Sequence, residues 1–253
     1  MKPEACVREL RDIDPVAQAA TLAAAIAADL SAALTRRSTA SLVVSGGRTP
    51  AAMFEQLAGF RIDWSRVQIT LADERWVNSD DAASNERLVR TSLLRDAAKA
   101  AKFVGMKNSA VTPAAGGEQA WAAIAAMAQP FDVVVLGIGD DGHMASLFPG
   151  SVEHAAGLDA RAGPGCLAVN PMQTSQASQA SQASHARLSL NLAALLRSRR
   201  ICIQICGALK WQVYERARAA GPVAQMPIRA VLRQREVPVD VYWCPQFNAE
   251  LAR

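Results

Sequence analysis

Along the chain, short runs of apolar and β-branched residues alternate with longer alanine-rich stretches. The runs at 41–45, 67–72, 102–105, 132–137, 166–170, 201–206 and 239–243 predict strands. Helices are predicted over 15–34, 50–57, 83–98, 118–128 and 209–220. The run 132–136, DVVVL, is unbroken in apolar residues after Asp132 rather than alternating, which suits a strand covered on both faces. Alternation of strands with helices implies right-handed β-α-β units. The expected fold class is therefore α/β: one Rossmann-like, mostly parallel sheet with helices on both faces. No linker separates two cores, so residues 1–253 are expected to form a single domain.

One segment breaks the pattern. Residues 173–186, QTSQASQASQASHA, repeat Gln, Ala and Ser with nothing apolar enough to bury. This reads as a low-complexity insertion in a surface loop, where added residues are tolerated.

Composition removes several function classes. The stretch 15–34 is interrupted by Gln18, Thr21, Asp29 and Ser31, so no membrane span is expected. The opening MKPEACVREL lacks the apolar core of a signal peptide. Five scattered cysteines, an odd number, fit reduced thiols, so a cytoplasmic location is expected. Cys202 and Cys206 fall on one predicted strand and read as core thiols, and His143, His154 and His185 show no metal-ligand spacing. No metal is expected. The formal charge of +4 comes from arginines spread along the chain, which gives nucleic-acid binding no support and suits a small anionic ligand. A monomer is the default expectation.

Chemistry concentrates where predicted strands end. After 132–137 comes GIGDDGHMASLFPG, a glycine turn in which His143 lies two residues past Asp141. An imidazole carries protons near neutral pH, and a neighbouring carboxylate can fix its tautomer. The same turn spells G-x-G-x-x-G, the dinucleotide fingerprint. Against that reading, Asp140 and Asp141 place negative charge where a pyrophosphate would lie, and Pro149 and Gly150 stop any helix behind it.

The second strand end, SGGRTP, joins Gly46 and Gly47 to a helix with Thr49 expected as N-cap and Pro50 first, an arrangement suited to an anion. It lacks the Gly-Lys-Ser/Thr ending of a Walker loop. The third, ADERWV, closes a strand with Asp73, Glu74 and Arg75. Arg75 offers a planar fork of donors for a phosphate or carboxyl oxygen, and Asp73 can orient hydroxyls or a water. No G-x-S-x-G elbow is present, so a serine acyl-enzyme is not indicated.

In this order and separation, SGGRTP, ADERWV and GIGDDGHMASLFPG resemble the 6-phosphogluconolactonase family. RLSLNLAAL and ICGALKW stand as counterparts of later family segments, and the resemblance covers about residues 40–245. It implies a fold like that of glucosamine-6-phosphate deaminase. It also implies hydrolysis of 6-phospho-D-glucono-1,5-lactone to 6-phosphogluconate, a pentose phosphate pathway reaction, without cofactor. On that basis His143 is the expected general base, assisted by Asp141. Backbone amides of a glycine turn are expected to hold the oxyanion. Arg75 and Lys210 are the expected phosphate ligands, with Arg187 a third. Gly46, Gly47, Arg48, Thr49, Asp73 and Gly139 complete the expected substrate-binding set. Departures from the family pattern are Arg48, where many members carry serine, Ala51, where some carry lysine, and the Gln-Ala-Ser repeat.

Two other readings stay open at this stage. One is an amino-sugar-phosphate isomerase or deaminase on the same fold. The other is a non-catalytic sugar-phosphate sensor, for which no helix-turn-helix segment is visible before residue 40 or after residue 245.

Overall fold

A computed structural model describes residues 7–151, 154–170 and 185–245; of the Gln-Ala-Ser segment, all but residues 185 and 186 lie outside these. In chain order the first half contains β1 (Val7–Arg11), α1 (Pro15–Leu34), β2 (Ala40–Val44), α2 (Pro50–Ala58), β3 (Val67–Leu71), β4 (Asp73–Arg75), α3 (Asn85–Ser92), β5 (Lys102–Val104) and α4 (Pro113–Ala125). The second half contains β6 (Val133–Leu136), α5 (His154–Gly157), β7 (Cys166–Val169), β8 (Arg187–Leu190), α6 (Leu192–Leu195), β9 (Ile201–Cys206), α7 (Ala208–Arg218), α8 (Ile228–Arg233) and β10 (Val239–Cys244).

Seven strands pair in parallel in the order β1-β10-β9-β6-β2-β3-β5. From β2 the chain steps outward through β3 to β5, then returns to β6 on the other side of β2 and continues to β9 and β10. The crevice of such a sheet opens where the order reverses, beyond the carboxyl ends of β2 and β6. The loops leaving those ends are 45–49 and 137–143.

The strands are as buried as their continuous apolar runs require: every residue of β2, β6 and β9 is buried. Helix α1 begins where Asp14 accepts the Ala17 amide at 2.8 Å and Pro15 supplies a preset first turn. Its Leu22, Ile26 and Leu30 are buried, and it packs on α2, β2, β6 and β10. Although α1 is long and apolar enough to cross a membrane, it serves here as a core helix.

The structure corrects several element expectations. The strand expected at 166–170 does not join the parallel sheet; β7 pairs with β8, and β8 with β4, in a separate antiparallel sheet of order β4-β8-β7. The helix expected over 83–98 stops at Ser92, because Arg95 is extended and Asp96 takes a positive φ of 49°. Helix α4 starts at Pro113, five residues before the expected 118, capped by Thr112 accepting the Ala115 amide. Edge strand β1 carried too little apolar signal to be read, since its residues are only half-buried or exposed.

Candidate active site

The turn that follows β6 closes on itself. Gly139 N–H donates to His143 O at 2.9 Å, and Gly142 N–H donates to Gly139 O at 2.9 Å. Gly142 has a φ of 82°, a conformation that favours glycine, and its carbonyl accepts from the Ile228 amide at 3.0 Å. Inside this loop the Asp141 carboxylate takes two bonds from His143, from the backbone amide at 3.0 Å and from ring Nδ1 at 2.6 Å. Burial pushes the Asp141 carboxyl up, but the hydrogen bonds and charge of His143 outweigh it and hold it below the ordinary carboxylate range. An ionised carboxylate only accepts, so in the neutral imidazole Nδ1 carries the proton and Nε2 the lone pair. No helix follows this turn directly, which removes the dinucleotide reading: residues 143–150 are turns and irregular backbone, with an isolated bridge between Met144 and Leu147.

Phe148 and Ser146 carry the turn toward the small sheet. The Phe148 ring lies 4.5 Å from the His143 ring, centroid to centroid, and the Arg187 guanidinium carbon lies 5.4 Å from the Phe148 centroid. Ser146 Oγ donates to Asp73 Oδ2 at 2.5 Å, and its amide donates to Ser189 Oγ. Arg187 Nη1 stands 3.5 Å from Ser146 Oγ and 3.8 Å from Asp73 Oδ2. Burial lowers the pKa of the Arg187 guanidinium, which the Asp73 charge opposes. Arg75 and Arg187 are direct register partners across β4 and β8, so two guanidinium side chains rise from neighbouring strands.

The 46–49 loop faces this cluster from β2. Gly47 is exposed and has a φ of 104°, which a side chain would strain. Gly46 was expected to let a ligand approach the backbone. The structure gives it a different neighbour: a Cβ there would lie 1.9 Å from Asn85 Oδ1. Thr49 was expected to cap α2 and does not. Its dihedrals, −65° and −40°, are already helical, whereas a capping side chain needs an extended backbone to reach the first amides. Arg48 is exposed beside it.

Lys210, in the first turn of α7, reaches across to the 137–143 turn. Its Nζ donates to Ile138 O at 2.7 Å and pairs with Asp140 Oδ1 at 2.8 Å. Gly139 was expected among the substrate contacts; the space its missing side chain leaves is occupied by the His143 ring.

The structure thus brings Asp73, Arg75, Arg187, Asp141, His143, Gly139 and Lys210 to one end of the sheet, around the crevice between β2 and β6. Sequence reasoning passed over Asn85, Ser146, Phe148 and Ser189. Ser146 and Phe148 stood inside the quoted GHMASLFPG text, and Asn85 follows Ser84, whose side chain caps α3. Ser189 gave no signal, since a serine in a β-strand has no distinguishing pattern.

Residues 13–243 match the family model described as glucosamine-6-phosphate isomerases/6-phosphogluconolactonase. The chain is 40% identical to the 6-phosphogluconolactonase of Rhizobium meliloti (strain 1021) over 92% of its own length and 96% of the relative's. It is 39% identical to that of Pseudomonas putida over 94% and 93%. The crystal structure of a 6-phosphogluconolactonase from Shewanella baltica OS155 superposes with a TM-score of 0.87 at 44% identity, covering 96% of this chain and all of that one. A monomeric glucosamine-6-phosphate deaminase shares the fold at a TM-score of 0.74 and 18% identity. With its sheet order, its strand-end motifs and these relatives in agreement, the chain belongs to the glucosamine-6-phosphate isomerase/6-phosphogluconolactonase family.

Proposed function

We propose that this protein hydrolyses 6-phospho-D-glucono-1,5-lactone to 6-phosphogluconate, with His143 as general base. The observation that carries the reading is the Asp141–His143 pair, held at 2.6 Å at the crevice of the sheet, with Nε2 left to exchange a proton. The relatives named as lactonases, at about 40% identity over nine-tenths of the chain, support the substrate.

In this mechanism Nε2 of His143 removes a proton from water as the water oxygen bonds to the lactone carbonyl carbon. The imidazolium that forms is stabilised by Asp141. When the tetrahedral intermediate collapses, the bond from that carbon to the ring oxygen breaks, and His143 returns the proton to the departing oxygen. The acid produced then ionises in water. The amides of Gly139 and Gly142 are engaged within their own turn, and the oxyanion is assigned to the backbone amides of the 46–49 loop. Arg75, Arg187 and Lys210 hold the phosphate, and Asp73, with the loop of Gly46, Gly47, Arg48 and Thr49, orients the sugar hydroxyls.

The test is disappearance of freshly generated lactone, corrected for spontaneous hydrolysis, with the His143→Ala protein beside wild type. Acceleration by wild type that collapses in the variant is expected. A folded wild type without acceleration would sink the proposal and direct the assay to glucosamine 6-phosphate.

A further inference from the structure

Glu74 stands between two site residues, Asp73 and Arg75, yet its own carboxylate is buried and engaged by the protein. Oε1 accepts from the amides of Arg75 at 2.8 Å and Asn85 at 2.7 Å. Oε2 accepts from the Glu86 amide at 2.8 Å and the Ser84 hydroxyl at 3.0 Å. Three of these donors form the start of α3, where amides have no partner inside the helix and negative charge is favoured. The fourth belongs to β4. One carboxylate therefore joins the strand that carries Arg75 to the helix beside it.

Both ends of this joint reach the site. Arg75 Nη1 donates to Ala83 O at 2.5 Å, next to the capping Ser84, while its Nε is buried without a hydrogen-bond partner among the described residues. Asn85 Nδ2 donates to Asp73 O at 2.8 Å, and its side-chain amide fills the space over Gly46. The position of α3 thus sets both the seat of the Arg75 guanidinium and the distance between β4 and the 46–49 loop.

We propose that Glu74 is a positioning residue: by tying β4 to α3 it fixes the Arg75 guanidinium for the substrate phosphate and, through Asn85, the Gly46 loop. The inference rests on the lactonase reading for the role of Arg75.

A double-mutant cycle tests it. Glu74→Gln keeps the size of the side chain but turns one acceptor into an NH2 group facing protein donors. The expected result is about tenfold weaker binding of 6-phosphogluconate and inorganic phosphate by calorimetry, and a KM for the lactone raised about as much, with kcat changed less. In an Arg75→Ala background the same change should cost inorganic phosphate binding less than about twofold, because the phosphate part of its effect runs through Arg75. Equal losses in both backgrounds would show a general structural role and overturn the proposal, as would no loss in either. Should Glu74→Gln fail to fold, Glu74→Asp, which keeps the charge on a shorter stem, enters the same cycle with the same expectation. Calorimetry decides the coupling without turnover, so a wild type that binds both ligands but does not hydrolyse the lactone would overturn the functional reading alone.

Discussion

The imidazole of His143 occupies the space that a side chain at Gly139 would need: a Cβ there would lie 1.9 Å from Nδ1 and 2.1 Å from Cε1. Gly139 has no positive φ, so its backbone would accept alanine, and the three atoms nearest to such a Cβ all belong to the ring. Gly139→Ala should therefore push the imidazole off Asp141 while leaving the fold intact. Misplacement of a reacting group by about 1 Å can lower turnover on the order of 100-fold. Steady-state kinetics on the lactone should show that fall in kcat with KM little changed. A Gly139→Ala enzyme with normal kcat would mean that His143 tolerates displacement and is not the base.

A second conflict of the same kind lies between Gly46 and Asn85. A Cβ on Gly46 would lie 1.9 Å from Asn85 Oδ1 and 2.2 Å from its Cγ, so Gly46→Ala must drive the amide away from Asp73 O, its 2.8 Å partner. The single variant should lose activity, and Gly46→Ala combined with Asn85→Ala should regain part of it, since the space is then open. Kinetics of the two singles and the double check this; a double no better than Gly46→Ala would place the conflict elsewhere.

These two glycines show how far the site was legible in the chain. GIGDDGH and SGGRTP announced tight turns at strand ends, and the order of strands that brings them together follows from β-α-β handedness. What each glycine leaves room for is a long-range fact: Asn85 is 39 positions from Gly46, on a helix whose start no local pattern ties to that loop. Glu74 was visible only as one charge among three. Its burial, and the four donors around it, depend on α3 docking on β4. The second sheet was hidden for a similar reason, because β4 has three charged residues and pairs with a strand more than 100 positions later. Apolar periodicity reports the parallel core and says little about the polar layer above it.

The Asp141–His143 contact also carries a pH signature. In the fold the Asp141 carboxyl is held below its ordinary range, so as pH falls the folded protein takes up a proton at this group later than the unfolded chain does. Its contribution to stability is present above the ordinary aspartate pKa, roughly 4, and is lost as pH drops through the depressed value. Glu74 works in the opposite sense: burial raises its pKa despite the four bonds, so ionising it as pH rises from the ordinary glutamate range works against stability. Thermal melts across pH 3–7 should show the gap between wild type and Asp141→Asn closing toward acid. A gap independent of pH would contradict the assignment of Asp141 as the ionised partner.

Ala145 takes a φ of 47° in the segment that carries Ser146 to Asp73 and Phe148 to His143. A left-handed backbone costs an L-residue about 1–2 kcal/mol, and a β-branched side chain is worse placed there than alanine. Ala145→Gly should be close to neutral, the relief of strain offset by the greater freedom of the unfolded chain. Ala145→Val should lower stability by about 2 kcal/mol or more in denaturant titration and reduce kcat as well, because the shifted turn moves both Ser146 and Phe148. Equal stabilities for the glycine and valine variants would remove the backbone argument.

The last prediction concerns the competition for Lys210. Its ammonium is shared between Ile138 O at 2.7 Å and Asp140 Oδ1 at 2.8 Å, and the Asp140 side chain is 86% exposed. An ion pair that open to solvent contributes about 0–1 kcal/mol, so a substrate phosphate can take the ammonium from Asp140 at little cost. Because Asp140 opposes the phosphate both by holding Lys210 and by its own charge, Asp140→Asn should tighten 6-phosphogluconate binding by up to about fivefold, converting that energy at 1.4 kcal/mol per decade. The gain should shrink as salt rises toward 1 M, where the Debye length is about 3 Å. Lys210→Ala should weaken binding instead, and in its background Asp140→Asn should give only the smaller, through-space part of the gain. Inhibition constants for 6-phosphogluconate at two salt concentrations separate these terms. If Asp140→Asn weakens binding at low salt, Asp140 helps to present Lys210 rather than competing for it, and the acidic residue belongs among the positioning groups of the turn.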